Sequence, residues 1–339
     1  MIDWLTVCAP IASSQGDLDW SRRAGCTVSI RPGGEVEYVT DRWMPIKGSH
    51  DAAMRARPAQ SGIWLSGNPA KLLTGQNLDG SEDLPALLAA IVDRTAATLA
   101  PARVALPVSG RLSRVDITRT YDLGAVERVR EVLRVAAVTA RARRQGASST
   151  SHQTVYLGRH SRRHSVKMYS KHDELASHPP VGIPESARQS IMEQSAGLLR
   201  IEVTVRGMQL KDDGIEQVEA WEYPAVADAL WHRYWSAISL SDGAELTPDE
   251  ALALPRMLRH TYDSWRRGGD MQELMSRSRY YVHRKRLLEL SRGSIDIAVM
   301  RPAYETMAVS NAGIGAYLRS LPEWRASGPL ADWITECAA

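Results

Sequence analysis

The stretch HSVKMYSKHDEL, from His164 to Leu175, sets one tyrosine between two lysines at alternate positions. Side chains two residues apart on a β-strand share a face. Lys167, Tyr169 and Lys171 are therefore expected on one face, with Val166 and Met168 buried on the other. A phenol keeps its proton until about pH 10, and nearby cations favour its ionised form. The spacing suits an ordinary half-exposed strand. It also suits a tyrosine prepared as a nucleophile, with Lys167 and Lys171 lowering its pKa or holding charge on phosphoryl oxygens.

Two more segments show the same period. In SRVDIT, Arg114, Asp116 and Thr118 share a face, and in LRIEVTVR it is Arg200, Glu202, Thr204 and Arg206 against Leu199, Ile201, Val203 and Val205. If the polar faces align, one surface collects two carboxylates, a tyrosine and several cations. Asp116 and Glu202 are hard oxygen ligands suited to Mg²⁺ or Mn²⁺, and Tyr169 could then attack phosphorus beside the metal. The same carboxylates could instead pair with Arg114 and Arg200 as half-buried ion pairs. Pattern alone leaves both readings open.

Composition narrows the class. The 339 residues are 44% hydrophobic and 24% charged, as in a soluble globular protein with room for two cores. Cys8, Cys26 and Cys337 are scattered and odd in number, suggesting no disulfide framework or zinc site and fitting a reducing cytoplasm. MIDWLTVCAP does not read as a signal peptide, and the apolar run LPALLAAIV is too short to span a bilayer. The net charge is only +3, yet from Arg141 to Lys171 there is no acid at all. Arg141, Arg143, Arg144, Arg159, Arg162 and Arg163 lie in that segment with His152, His160 and His164. Such a run is either a solvated loop or a phosphate-binding surface, with Arg159, Arg162 and Arg163 as candidate DNA contacts.

The elements needed to position these residues are legible. CTVSIR and EVEYVT, joined by PGG, read as a hairpin; SGIWLSGNPAKLLTG reads as a strand running into a short helix ended by Gly75. Ser81 is expected to cap a helix reaching about Leu99. RLSRVDITRTYDLG, QTVYLG, HSVKMYSK and LLRIEVTVRG read as strands, and AVERVREVLRVAAVTARARR as an amphipathic helix. The class is α+β, an antiparallel sheet flanked by helices. Helical patterns dominate later, so residues 1–215 are expected to form the catalytic unit and 216–339 a helical, DNA-binding one. RSRYYVHRKRLLELSRGSIDI reads as a basic helix closed by Gly293. Arg279, His283 and Arg286 would share its DNA-facing side, while Leu287, Leu288 and Leu290 pack.

Six segments in order, MIDWLTV, NPAKLLTGQNLDG, LSRVDIT, VKMYSKHDEL, SAGLLRIEVTVRG and YYVHRKRLLELSRGSIDI, resemble the gene II replication initiators of filamentous phages and their plasmid rolling-circle relatives. The resemblance implies a site-specific nickase that cuts one strand at a replication origin through a covalent 5′-phosphotyrosine and later rejoins it. Tyr169 maps to the nucleophile, Asp116 and Glu202 to the acidic positions near a Mg²⁺ or Mn²⁺ ion. Gln76 stands where family members often carry histidine, and the paired-histidine signature of rolling-circle nucleases is missing, leaving His152, His160 and His164 as alternatives for a third ligand. The implied partners are origin DNA and the host helicase and polymerase, in the bacterial cytoplasm. Two rival readings are a metal nuclease using water, with Tyr169 structural, and a non-catalytic origin-binding protein.

Overall fold

The computed structural model describes residues 1–10, 25–47, 53–59, 62–99, 109–142, 145–146, 148–149, 154–221, 226–240, 246, 248–291, 295–298, 314–315 and 318. The chain opens with β1 (Ile2–Pro10), an exposed hairpin of β2 (Cys26–Ile30) and β3 (Val36–Asp41), then β4 (Met44–Lys47), β5 (Ala53–Ala59) and β6 (Gly62–Gly67). Helices α1 (Pro69–Thr74) and α2 (Leu84–Leu99) precede the long strand β7 (Arg111–Asp122) and helix α3 (Val126–Thr139). Three two-residue strands follow, β8 (Arg141–Ala142), β9 (Gln145–Gly146) and β10 (Ser148–Ser149), then β11 (Thr154–Leu157) and β12 (His164–Ser170). Next come α4 (Lys171–Ser177), α5 (Glu185–Gln194), β13 (Leu198–Arg206), α6 (Gly207–Asp212), a 3₁₀ turn (Val218–Trp221), α7 (Val226–Trp235) and β14 (Ile238–Ser239). The later helices are α8 (Pro248–Ala253), α9 (Arg256–Arg266), α10 (Met271–Leu274) and α11 (Arg277–Leu290).

Nine strands form one antiparallel sheet in the order β10-β11-β12-β13-β7-β1-β6-β5-β4. The three chemistry-bearing strands are adjacent at its centre. Their apolar residues explain the pairing: Val115 and Ile117, Val166 and Met168, Leu199, Ile201, Val203 and Val205 all enter one core. Leu88 and Ile91 of α2, Val129 and Leu133 of α3, and Trp231 of α7 belong to the same core. Each such aliphatic side chain contributes roughly 1.5–3 kcal/mol by burial, which also locks the register, because a one-residue slip would turn the whole set outward.

The expected α+β antiparallel sheet and its flanking helices are present. Lys171 requires a correction. It is the first residue of α4, because Ser170 leaves the strand as an N-cap whose hydroxyl accepts from the Asp173 amide at 3.1 Å. The first core also runs past residue 215: Val218, Trp221, Leu230, Trp235 and Leu240 pack into it. A separate cluster of Leu254, Leu258, Tyr262, Trp265, Tyr280 and Leu287 holds the later helices together. In α11, Leu287 is buried as expected, whereas Leu290 is 45% exposed. Gly293 lies outside the described residues, as do Arg143, Arg144 and His152. Among the described residues no helix is long and apolar enough to cross a membrane.

Candidate active site

The ladders bring the polar faces of β7, β13 and β12 into one surface. Asp116 stands opposite Thr204, and Glu202 opposite Thr118, so the two carboxylates are diagonal neighbours on adjacent strands. Across the other edge of β13, Lys167 pairs with Glu202 and Tyr169 with Arg200. Lys167 Nζ lies 3.9 Å from a Glu202 oxygen and 4.0 Å from the centre of the Tyr169 ring. One lysine thus links the tyrosine to the acidic pair.

The two carboxylates differ in their compensation. Arg114 grips Asp116 with two hydrogen bonds, Nε to Oδ1 at 2.8 Å and Nη2 to Oδ2 at 2.5 Å. Burial still pushes Asp116 above its usual range against that pairing. Glu202 has the Lys167 ion pair and no Arg200 contact like the one expected; Arg200 pairs with Asp3 instead. Burial first, then the Asp116 charge, raise Glu202 to about 8. Thr118 Oγ1, on the residue directly opposite Glu202, is buried without a hydrogen-bond partner.

Among the described residues no three or more His, Cys, Asp or Glu side chains gather in a metal-holding group. Mg²⁺, however, is commonly held by one or two carboxylates, with water and substrate phosphates completing its octahedron. An under-compensated buried acidic pair beside an orphaned hydroxyl fits a hard divalent cation of that kind. The described candidate histidines do not join it. His160 is exposed in the turn before β12, and His164 is stacked on Tyr234 of α7, with ring centres 4.3 Å apart. The Gln76 amide oxygen is taken by the Leu78 backbone N–H.

Tyr169 is only 4% exposed. Burial drives its phenol well above the usual value; Arg200 favours the phenolate, but Asp3, Glu202 and Glu174 oppose it. The expectation that flanking lysines depress this pKa is therefore corrected. Lys171 is engaged elsewhere: its Nζ donates to Asn77 Oδ1 and Glu174 Oε2, both at 2.7 Å. Burial, then Arg200, bring that buried amine down to about 7.

Behind the tyrosine lies a polar network that strand periodicity does not reveal. A register shift in β1 between Ile2 and Trp4 brings Asp3 into it. Asp3 Oδ1 accepts from Asn68 Nδ2 and Asn77 Nδ2, each at 2.8 Å, and lies 3.6 Å from Arg200 Nη1. Burial opposes ionisation of Asp3, but Arg200, Lys171 and the two amides hold its carboxyl below the usual range. Asn68 also caps α1, its Oδ1 accepting from the Lys71 amide at 2.9 Å. Gly75 ends that helix in the left-handed region, at φ 77°, turning the chain so that Asn77 reaches the network. The sequence signal for these residues was a lone acid in MIDWLTV and the cap pattern NPAK.

The candidate DNA contacts lie elsewhere. Arg159 and Arg162 are exposed in the turn between β11 and β12, Arg159 stacking over Tyr156 at 5.0 Å. Arg163 is engaged by Asp212 of α6. On α11, Arg279 is exposed, Arg286 pairs with Glu289 at 3.3 Å, and His283 contacts Thr261 at 2.8 Å.

Known proteins match this chain along most of its length. A family model for the N-terminal part of the phage replication-associated protein of gene II type matches residues 1–224. A replication-associated protein of the same type from Enterobacteria phage I2-2 is 33% identical over 314 residues, covering 88% of each chain. A solved structure, "Structure of Rolling Circle Replication Initiator Protein from Geobacillus stearothermophilus", overlaps 74% of this chain and 88% of its own at 14% identity and a TM-score of 0.34. A superposition that loose carries no argument about mechanism. The family match covers β1 through the 3₁₀ turn, and with it every residue of the acidic pair, the tyrosine and the network behind it: the chain belongs to the gene II-type replication-associated protein family.

Proposed function

We propose that the chain initiates rolling-circle replication by nicking one DNA strand at an origin with Tyr169. The phenol oxygen attacks the scissile phosphorus, the bond to the 3′ oxygen breaks, and the 5′ phosphate stays on the tyrosine. The phenol proton is lost and the departing 3′ oxygen gains one, so the exchange needs no net proton or ATP. Attack by a later 3′ hydroxyl on the phosphotyrosine rejoins the strand. The observation that carries the reading is the contiguous face on which Tyr169, Lys167, Glu202 and Asp116 meet across three paired strands.

Asp116 and Glu202 are the residues that would hold Mg²⁺ or Mn²⁺, which supplies Lewis-acid polarisation of the phosphodiester when bound. Lys167, beside the Tyr169 ring and Glu202, would neutralise charge on the non-bridging oxygens. The turn with Arg159 and Arg162, and the face of α11 with Arg279 and Arg286, would hold the DNA backbone. The nicking unit would then extend to about residue 240, beyond which Ile314 alone among the described residues joins the first core, and the later helices would form the DNA-gripping unit. Host helicase and polymerase would act on the opened strand.

One observation favours a second reading, a metal nuclease using water. Tyr169 is nearly inaccessible, so a DNA strand reaches its oxygen only if the side chain or its cover shifts. Incubation with a labelled single-stranded origin oligonucleotide and Mg²⁺ separates the two. A denaturant-stable complex whose peptide maps to Tyr169 supports the proposal; cleavage without an adduct supports the rival.

A further inference from the structure

Arg200 is the largest fully buried side chain among the described residues. Its Nη2 donates to the carbonyls of Asn77 and Leu78, the latter at 2.9 Å, and Nη1 has only the 3.6 Å ion pair with Asp3. Nε and Nη1 have no hydrogen-bond partner of good geometry, although the Tyr169 phenol lies close enough to the guanidinium to bond it loosely. Burial disfavours the charge, but the Tyr169 phenol and Asp3 beside it hold the guanidinium above its usual pKa. Buried donors are nearly always paired, since leaving one unmet is costly, the more so when it is charged. A fold that needed Arg200 only as a strut could satisfy it with the carbonyls already present. The unmet edge belongs to a planar fork suited to two oxygens of one phosphate, and the residue stands directly across the ladder from Tyr169.

We propose that Arg200 binds the phosphoryl group transferred to Tyr169, its under-satisfied Nε and Nη1 donating to non-bridging oxygens as the Oη–P bond forms and the P–O3′ bond breaks. This rests on Tyr169 being the nucleophile. The oxygens gain the donors' hydrogen bonds at the moment charge accumulates on them, while Asn77, Leu78 and Asp3 keep the guanidinium in place.

The test uses the whole chain and a single-stranded oligonucleotide carrying the mapped nick site. Arg200→Lys keeps the charge but loses the fork. It should slow adduct formation on the order of 100-fold with KM nearly unchanged, the size seen when one transition-state donor is removed. A rate within about 3-fold of the parent in a folded Arg200→Lys protein would overturn the proposal. The parent itself supplies a second measurement, should the variant not fold. With a phosphorothioate at the scissile phosphate, one diastereomer should react roughly tenfold or more slowly, and Mn²⁺ in place of Mg²⁺ should not restore it. Equal rates for both isomers, or full restoration by Mn²⁺, would refute it. An unmodified oligonucleotide that is cut with no adduct on Tyr169 would instead remove the reading on which the proposal stands.

Discussion

Asp116 and Glu202 are diagonal neighbours on paired strands, yet only Asp116 carries a guanidinium, bound through both of its oxygens. The asymmetry divides their roles. Asp116 is anchored in place by Arg114, whereas Glu202 has only the longer Lys167 ion pair at 3.9 Å.

Replacement of Glu202 by Gln should therefore stabilise the metal-free protein at high pH. Its folded pKa of about 8 lies above the ordinary 4.5, so the parent loses stability as pH rises from about 4.5 through 8. Thermal melts of Glu202→Gln should diverge from the parent across that window, the variant being higher above it. Identical pH profiles would show that Glu202 is not the strained carboxylate.

Metal linkage is the counterpart. Mg²⁺ at millimolar concentration should raise the parent's Tm more above the Glu202 pKa of about 8 than well below it, because only the ionised pair binds the ion. The rise should vanish in Glu202→Gln and in Asp116→Asn. An equal rise in the variants would place the ion elsewhere.

Tyr169→Phe should abolish nicking and leave origin binding within about threefold, since it removes one oxygen from a buried ring. Gel-shift affinity and adduct formation measure the two effects. An adduct formed by the Phe variant would exclude Tyr169 as the nucleophile.

Lys171→Met tests the loop anchor. Asn77 Oδ1 and Glu174 Oε2 share the Lys171 ammonium, and losing it leaves the buried Asn77 acceptor unmet at a cost of about 1–3 kcal/mol, while the half-buried Glu174 keeps Lys71 at 3.8 Å. The pH signature has the opposite sign to that of Glu202. A lysine at about 7 when folded and 10.5 when unfolded makes the parent gain stability as pH rises through that interval. The gain should be absent in the variant, and its persistence would mean that another group titrates there.

On α11, Arg279→Ala should weaken duplex binding for all sequences and lower the salt slope by about one contact. Arg286→Ala should do less, because Glu289 already neutralises it. Filter-binding across a salt series reports both, and unchanged slopes would make the helix a scaffold.

Alternation of apolar and polar residues is a local property, and in SRVDIT, LRIEVTVR and HSVKMYS it was enough to put Asp116, Glu202, Lys167 and Tyr169 on their faces. The hydrophobic core then allows only one register. Caps work at similarly short range, so Asn68 and Gly75 mark their helix without tertiary help. Lys171 broke the pattern because the Ser170 cap overrode a period that the next residues no longer shared.

What distance along the chain conceals, only the folded molecule decided. Asp3, Asn77 and Arg200 meet from three separate segments, and the register shift that brings Asp3 in has no mark in the sequence. The pKa direction at Tyr169 reversed the simple expectation from neighbouring charge, and Lys171 fell with it, because desolvation depends on total burial rather than sequence spacing. The sequence alone therefore determined which side chains could share a face. The tertiary structure decided which of them are buried, which are compensated, and which retain an unmet hydrogen bond, because those depend on contacts between segments far apart in the chain.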